Sequence, residues 1–333
     1  MTLTRRPEPG AYGAAPGRVA TAAVLLAVVA VAHLLASGQP PGAVTGLLDG
    51  AADGRAEKIV WELGVPRLLT ALLTGAALGA SGYVLQAALR NPLAAPEFSG
   101  VNPGAVLGIL GGLTLGLFPA DSAAGALLAA LAGGALGGGT TWLMSARRPP
   151  ADLVVHGLLG SALLAGLTTM LLAYQPGRFG NALRWLIGSV DGRVWEHLAL
   201  ASWWIAGGVA VAWACSGVLA VLSPGDDHAA SLGLHPGLGR AVALTTAIAL
   251  TAGAASLSGA ISFVGLVAPH AARRLGGRVL TAAATGAVLL AGADTLAQFA
   301  GHLLDGAHRL GVPTGVVTAL AGAAVLIRLG RSQ

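Results

Sequence analysis

The chain has 333 residues, 55% of them hydrophobic and 10% charged, with a mean hydropathy of +0.74. A water-soluble domain carries about 25% charged residues, so a freely soluble globule is excluded and a lipid bilayer must be part of the solvent. The formal charge of +5 then bears on membrane topology, loop by loop, rather than on nucleic-acid binding.

Residues 1–18 are polar, with Pro7, Pro9 and Pro16, and read as a disordered cytoplasmic tail ahead of a single membrane domain over 19–333. Arg5 and Arg6 before the apolar run from Val19 have the look of a twin-arginine export signal. That run reaches Ala36 and more apolar runs come after it, which favours an uncleaved first helix. A helix needs about 20 apolar residues to cross the hydrocarbon core, and ten spans are expected on that measure. They are Val19–Ala36, Arg67–Leu89, Gly100–Phe118, Ser122–Met144, Leu153–Ala173, Leu198–Leu222, Arg240–Leu257, Ala260–Leu275, Val279–Leu303 and Thr314–Ile327. The eighth is short and contains Pro269 and His270. The expected fold class is an all-α polytopic membrane protein.

With the N-terminus in the cytoplasm, twelve of the 19 Lys and Arg residues fall on the cytoplasmic side, Arg90, Arg240, Arg273 and Arg274 among them, and seven on the outer side, including Arg55, Lys58 and Arg67. That asymmetry favours both termini inside. Trp195, Trp203 and Trp204 mark the outer end of the sixth span, where indole rings favour the interface. The lone Cys215 lies in an apolar run and reads as a packing residue.

Glycine is abundant, with 51 residues, and Gly75/Gly79, Gly104/Gly108 and Gly134/Gly138 are each four apart on one helical face. Small residues at that spacing let helices approach closely in lipid. Gly75-Ala-Ala-Leu-Gly-Ala-Ser-Gly82 is faintly echoed by Gly253-Ala-Ala-Ser-Leu-Ser-Gly259, a weak inverted-repeat character known in transporters.

Three segments interrupt the apolar runs. After the second span, Arg90-Asn91-Pro92-Leu93-Ala94-Ala95-Pro96 must turn, because two prolines forbid the helix. Between the sixth and seventh spans, Asp226 or Asp227 is placed to cap a short extramembrane helix that Gly233 ends. In the eighth, Pro269 is expected to break or kink the helix ahead of Arg273-Arg274. The intramembrane polar groups His156, Asp294 and Gln298 form no metal or catalytic cluster, and there is no phosphate-binding loop.

From about Trp61 to Ile327 the chain resembles the permease family of ATP-binding-cassette importers for iron-siderophores, haem and cobalamin. The resemblance is carried by Pro66-Arg67, Gly75-Ala-Ala-Leu, Ser81-Gly82, Gln86, Arg90-Asn91-Pro92-Leu93-Ala94, Trp185-Leu-Ile-Gly188-Ser189, Ala229-Ala-Ser-Leu-Gly233, Phe263-Val-Gly-Leu-Val-Ala-Pro-His270, Ala293-Asp294 and Pro313-Thr-Gly315. It implies a non-enzymatic transport subunit in the bacterial cytoplasmic membrane that binds no cofactor itself. Its implied partners are a second permease (an identical copy or a paralogue), two cytoplasmic ATPases that bind ATP and magnesium, an extracellular substrate-binding lipoprotein, and a ferric-siderophore cargo; nucleic acid is not among them. It further implies that Asp226, Asp227, Ala229, Ala230, Leu232 and Gly233, within a coupling helix at about 226–234, engage the ATPase. On the same resemblance, Asn91 and Leu93, with the Pro150–Ala151 turn, would form the cytoplasmic gate. The resemblance implies that Arg67 docks the binding protein, with Lys58 and Arg55 expected to stand in for family arginines this chain lacks, and Gln86, Asn102 and Asp294 are candidates for the pathway. The chain departs from the family pattern at Gly64, where an arginine is usual, at Gln298 and Gly311, and at Gly277-Arg278. A cobalamin or haem permease, or an ion-coupled secondary transporter, are the alternatives. The secondary transporter leaves the extramembrane helix without a task.

Overall fold

A computed structural model describes residues 16–36, 44, 46, 54–145, 150–174, 182–304 and 311–331. Fourteen α-helices are numbered here in chain order. They are α1 (Pro16–Leu35), α2 (Arg55–Ile59), α3 (Val65–Ala88), α4 (Val101–Thr114), α5 (Ala123–Ser145), α6 (Pro150–Tyr174) and α7 (Ala182–Ile187). The rest are α8 (Trp195–Ala214), α9 (Ser216–Leu222), α10 (Asp226–Ser231), α11 (Pro236–Ser258), α12 (Val264–Arg273), α13 (Val279–Leu304) and α14 (Thr314–Arg331). No strand occurs among the described residues. Most of the tail expected over 1–18 lies outside them, and α1 already begins at Pro16, a residue suited to a helix start.

Every expected span contains a helix, and six are long and apolar enough to cross a bilayer. The spans differ in where their apolar surface goes. In the run Arg55–Leu89, where α2 and α3 are joined by the π-helical turn Val60–Gly64, 72% of the most apolar window is inside the protein. For Pro236–Ser258 the share is 67%, but for Val155–Tyr174 and Trp195–Ala214 it is 22%. So α3 and α11 form the centre of the bundle, while α6 and α8 face outward with leucines such as Leu159 and Leu163 exposed.

Glycine, not apolar periodicity, fixes the central packing. A Cβ at Gly75 would stand 2.2 Å from the Gly286 carbonyl oxygen, and one at Gly79 2.3 Å from that of Ala282, so α3 and α13 touch backbone to backbone. The helices α4 and α5 meet the same way, Gly104 against Gly133 and Gly108 against Ala129. On α5 the closest backbone contacts fall at Gly133 and Gly137, while Gly138 meets the Val101 side chain of α4, where an added Cβ would stand 2.6 Å away. Gly134 has more room, with its nearest neighbour at 3.4 Å. Adjacent glycines at 133–134 and 137–139 leave that face undefined by composition.

The expected eighth span is corrected by the structure. Only the ten residues of α12 are helical, about 15 Å of rise and half the hydrocarbon thickness. The break falls earlier than Pro269, at Gly259 (φ +71°) to Phe263 (φ +69°). Pro269 stays inside α12. Lacking an N–H, it cannot bond the Gly265 carbonyl four residues back. That oxygen instead faces Gly82 on α3, where an added Cβ would stand only 1.8 Å away.

Candidate functional site

The chemistry-bearing residues collect at the two ends of α3. At its N-terminal end Arg67 makes a bidentate pair with Asp294 of α13, Nε donating to Oδ2 at 2.7 Å and Nη2 to Oδ1 at 2.9 Å. Its third nitrogen, Nη1, donates to Asp191 Oδ1 at 3.0 Å. Asp294 is fully buried and also accepts from Thr314 Oγ1 at 2.6 Å and Gln298 Nε2 at 3.1 Å. His33 of α1 lies 3.6 Å from it, itself buried. Four helices, α1, α3, α13 and α14, therefore meet at one carboxylate. A buried anion requires such company, since isolated burial of a charge is prohibitive. Arg67, expected to dock a binding protein, has all three of its nitrogens engaged within the chain. Arg55 and Lys58 on α2 are exposed at this same end. Beside them Trp195 stacks on Trp61, ring centroids 5.0 Å apart, and donates from Nε1 to the Trp61 carbonyl. Arg193 lies over the Trp185 ring at 5.6 Å, and burial lowers its guanidinium to about 10.

At the other end α3 stops at Ala88, and Arg90 takes a left-handed conformation (φ +50°) that turns the chain sharply. Asn91 stiffens the residues beyond it: its Oδ1 accepts from Leu93 N–H at 2.9 Å and its carbonyl from Ala94 N–H at 3.1 Å. Pro92 and Leu93 form an exposed tip, whereas Ala94 to Glu97 are buried. Pro150 and Ala151 open α6, and their side chains lie outside the described residues. The short helix α10 stands beside this turn. Its N-cap is Gly225, and neither Asp226 nor Asp227 caps it. Gly233 (φ +80°) ends it, with Gly233 N–H donating to Ala230 O and Leu234 N–H to Ala229 O. Asp226 instead accepts from Arg240 Nη2 of α11 at 2.5 Å and pairs with Arg90 Nη2 at 3.5 Å. Ala229 is fully buried beneath the helix. Of the expected ATPase-facing set, Asp227, Ala230, Leu232 and Gly233 are exposed, while Asp226 and Ala229 face the protein.

The three pathway candidates point into the protein. Asn102 donates to the Ile261 carbonyl at 3.0 Å, and Gln86 lies between the Leu266 carbonyl and Arg273 Nη1. Through these bonds Gln86 and Asn102 brace the interrupted segment 259–273. A further brace escaped the sequence reading. Glu97 Oε1 accepts from Phe263 N–H at 2.7 Å and so holds the strained start of α12. Its Oε2 is buried without a partner, and burial pushes the carboxyl up to about 7. His33, Thr314, Arg240 and Glu97 were missed because each acts on a residue remote in sequence. Thr314 alone carried a signal, as part of Pro313-Thr-Gly315.

A wholly helical bundle with a glycine-packed centre, a half-length helix braced by buried amides and an extramembrane helix beside a stiff turn defines a polytopic membrane permease. The chain belongs to the FecCD transport family, whose model matches residues 19–332. It is 36% identical over 270 residues to the Fe(3+) dicitrate transport system permease protein FecD of Escherichia coli (strain K12), covering 80% of this chain and 82% of that one. It is 33% identical over 315 residues to the Fe(3+)-citrate import system permease protein YfmE of Bacillus subtilis (strain 168), covering 92% and 91%. It is 34% identical over 286 residues to the cobalamin import system permease protein BtuC of Halobacterium salinarum, covering 84% and 74%. Among solved structures it resembles an inward-facing putative metal-chelate type ABC transporter, with a TM-score of 0.77, 26% identity, and coverage of 96% of this chain and 99% of that one. It is thus a transport subunit and no ATPase in its own right.

Proposed function

We propose that this chain is the membrane-spanning half of an importer that carries a ferric siderophore across the bacterial cytoplasmic membrane by alternating access. A second permease copy or paralogue completes the pathway, two cytoplasmic ATPases drive it, and an extracellular binding protein delivers the chelate. Residues 19–333 act as one transmembrane domain with both termini in the cytoplasm. Asp227, Ala230, Leu232 and Gly233 meet the ATPase, and Asn91 and Leu93 with the Pro150–Ala151 turn form the inner gate. Arg55 and Lys58 receive the binding protein, as cations left exposed once Arg67 is tied to Asp294.

The observation that supports this reading most is the exposed face of α10, anchored by buried Ala229 beside the gate turn. An ion-coupled carrier has no use for such a knob; a permease gripped by a cytoplasmic motor does. An iron cargo is favoured by relatives named for ferric citrate and ferric enterobactin. Cobalamin is the second reading, favoured by the Halobacterium relative.

The test is uptake into vesicles holding this chain with its ATPase and binding protein, using labelled ferric hydroxamate, haem and cobalamin in parallel. ATP-dependent uptake of the ferric chelate is expected, and Gly233→Arg should abolish it without preventing membrane insertion. Equal uptake with the ATPase left out, driven by an ion gradient, would reject the proposal.

A further inference from the structure

The ion pair that ties α10 to the end of α3 is placed between the two parts that a motor-driven gate must connect. Asp226 is the first residue of α10 and faces two arginines from different elements. Arg240 belongs to α11, and its Nε also donates to the Ala88 carbonyl, the last residue of α3. Arg90 belongs to the turn itself and immediately precedes Asn91. All three are partly screened, with side-chain exposures of 22% for Arg240, 32% for Arg90 and 42% for Asp226, so the pair is a weak source of stability. It nevertheless needs an unusual backbone. Arg90 is one of two non-glycine residues at positive φ among the described residues, a conformation that costs about 1–2 kcal/mol. In that conformation its guanidinium lies toward α10: a Cβ on Gly225 would stand 3.5 Å from Arg90 Nη1. The turn beyond Arg90 is stiff, because the Asn91 side chain closes it onto Leu93 and the Asn91 carbonyl onto Ala94. A displacement of Asp226 therefore moves Arg90 and Leu93 together.

We propose that Arg90 is a positioning residue that transmits movement of α10 to the Asn91–Leu93 turn through its pair with Asp226. Arg240 has the complementary task of holding Asp226 to α11 and the α3 terminus. This inference rests on the reading of α10 as the motor contact and of the turn as the gate.

The experiment uses the assembled importer in vesicles and measures ATP hydrolysed and chelate delivered in the same sample. Arg90→Gln should leave ATPase association and hydrolysis within about twofold of wild type, while chelate delivered per ATP falls by about tenfold, within the usual span of coupling between sites. Arg90→Lys, which keeps the charge, should recover part of the yield. Combining Arg90→Gln with Asp226→Asn should cost no more than the worse single change, since both cut one link. A merely structural role would lower thermal stability, hydrolysis and uptake in proportion, and that result overturns the proposal. So does an unchanged yield per ATP in Arg90→Gln, or losses that multiply in the double variant. If Gly233→Arg blocks uptake while Arg90→Gln transports normally, the link alone is wrong. If Gly233→Arg transports fully, the motor contact is wrong and the link falls with it.

Discussion

Arg67 and Arg90 stand at opposite ends of α3, and each faces an aspartate distant in sequence. The Arg67–Asp294 pair is bidentate, sealed from solvent on the acid side, and reinforced by Thr314, Gln298 and His33. The Arg90–Asp226 pair is long, half-exposed and shared with Arg240. Buried ionic groups are costly to separate because a lone charge is then stranded in low dielectric. Half-exposed ones contribute little to stability, so they can shift with the elements they join. The first arrangement suits a joint that must hold through the transport cycle, the second a contact that must move during it.

The largest test of that contrast is Asp294→Ala, which leaves Arg67 only the exposed Asp191 and empties a buried hydrogen-bonded site; it should destabilise the protein by about 3 kcal/mol, read as a large drop in the unfolding midpoint in detergent. Gly82→Ala should cost about 1–3 kcal/mol, because the new methyl meets the Gly265 carbonyl, whose backbone cannot withdraw without moving α12. The third test is a pH dependence. Glu97 titrates near 4.5 when exposed and about 7 here. Between those values the folded protein holds a proton that the unfolded chain has lost, so stability falls as pH rises through that window and levels off above it. In Glu97→Gln that slope should be absent when unfolding is followed from pH 5 to 8. Smallest is Asp226→Asn, expected to change stability by less than about 1 kcal/mol. A loss as large as that of Asp294→Ala would erase the distinction between the two ends.

The helices themselves were legible because they follow the apolar runs, six of them long enough to cross a bilayer among the described residues, and the turn at Pro92 and Pro96 because proline cannot continue the helix. Which faces pack was not legible. These helices are apolar on all sides, so only backbone clearance decides, and neighbouring glycines made Gly133 and Gly134 equivalent on paper. The break at Gly259–Phe263 hid inside a continuous apolar run, since hydropathy carries no record of φ. At the candidate site, motif spacing located the short helix α10, the turn after α3 and Asp294. It carried no sign that Arg67 and Asp226 pair within the chain or that Ala229 is buried, because these contacts are tertiary. Chemistry was readable where residues act locally and unreadable where an arginine must choose among distant acids.

The central helix has a mechanical meaning of its own. The 24 residues of α3 span about 36 Å, and a hydrogen-bonded rod of that length neither stretches nor shortens appreciably. One extremity is welded to α13 and α14 and the other is linked to α10 and α11. Between them the glycine seam keeps α3 backbone to backbone against α13, so the rod has no slack along that side.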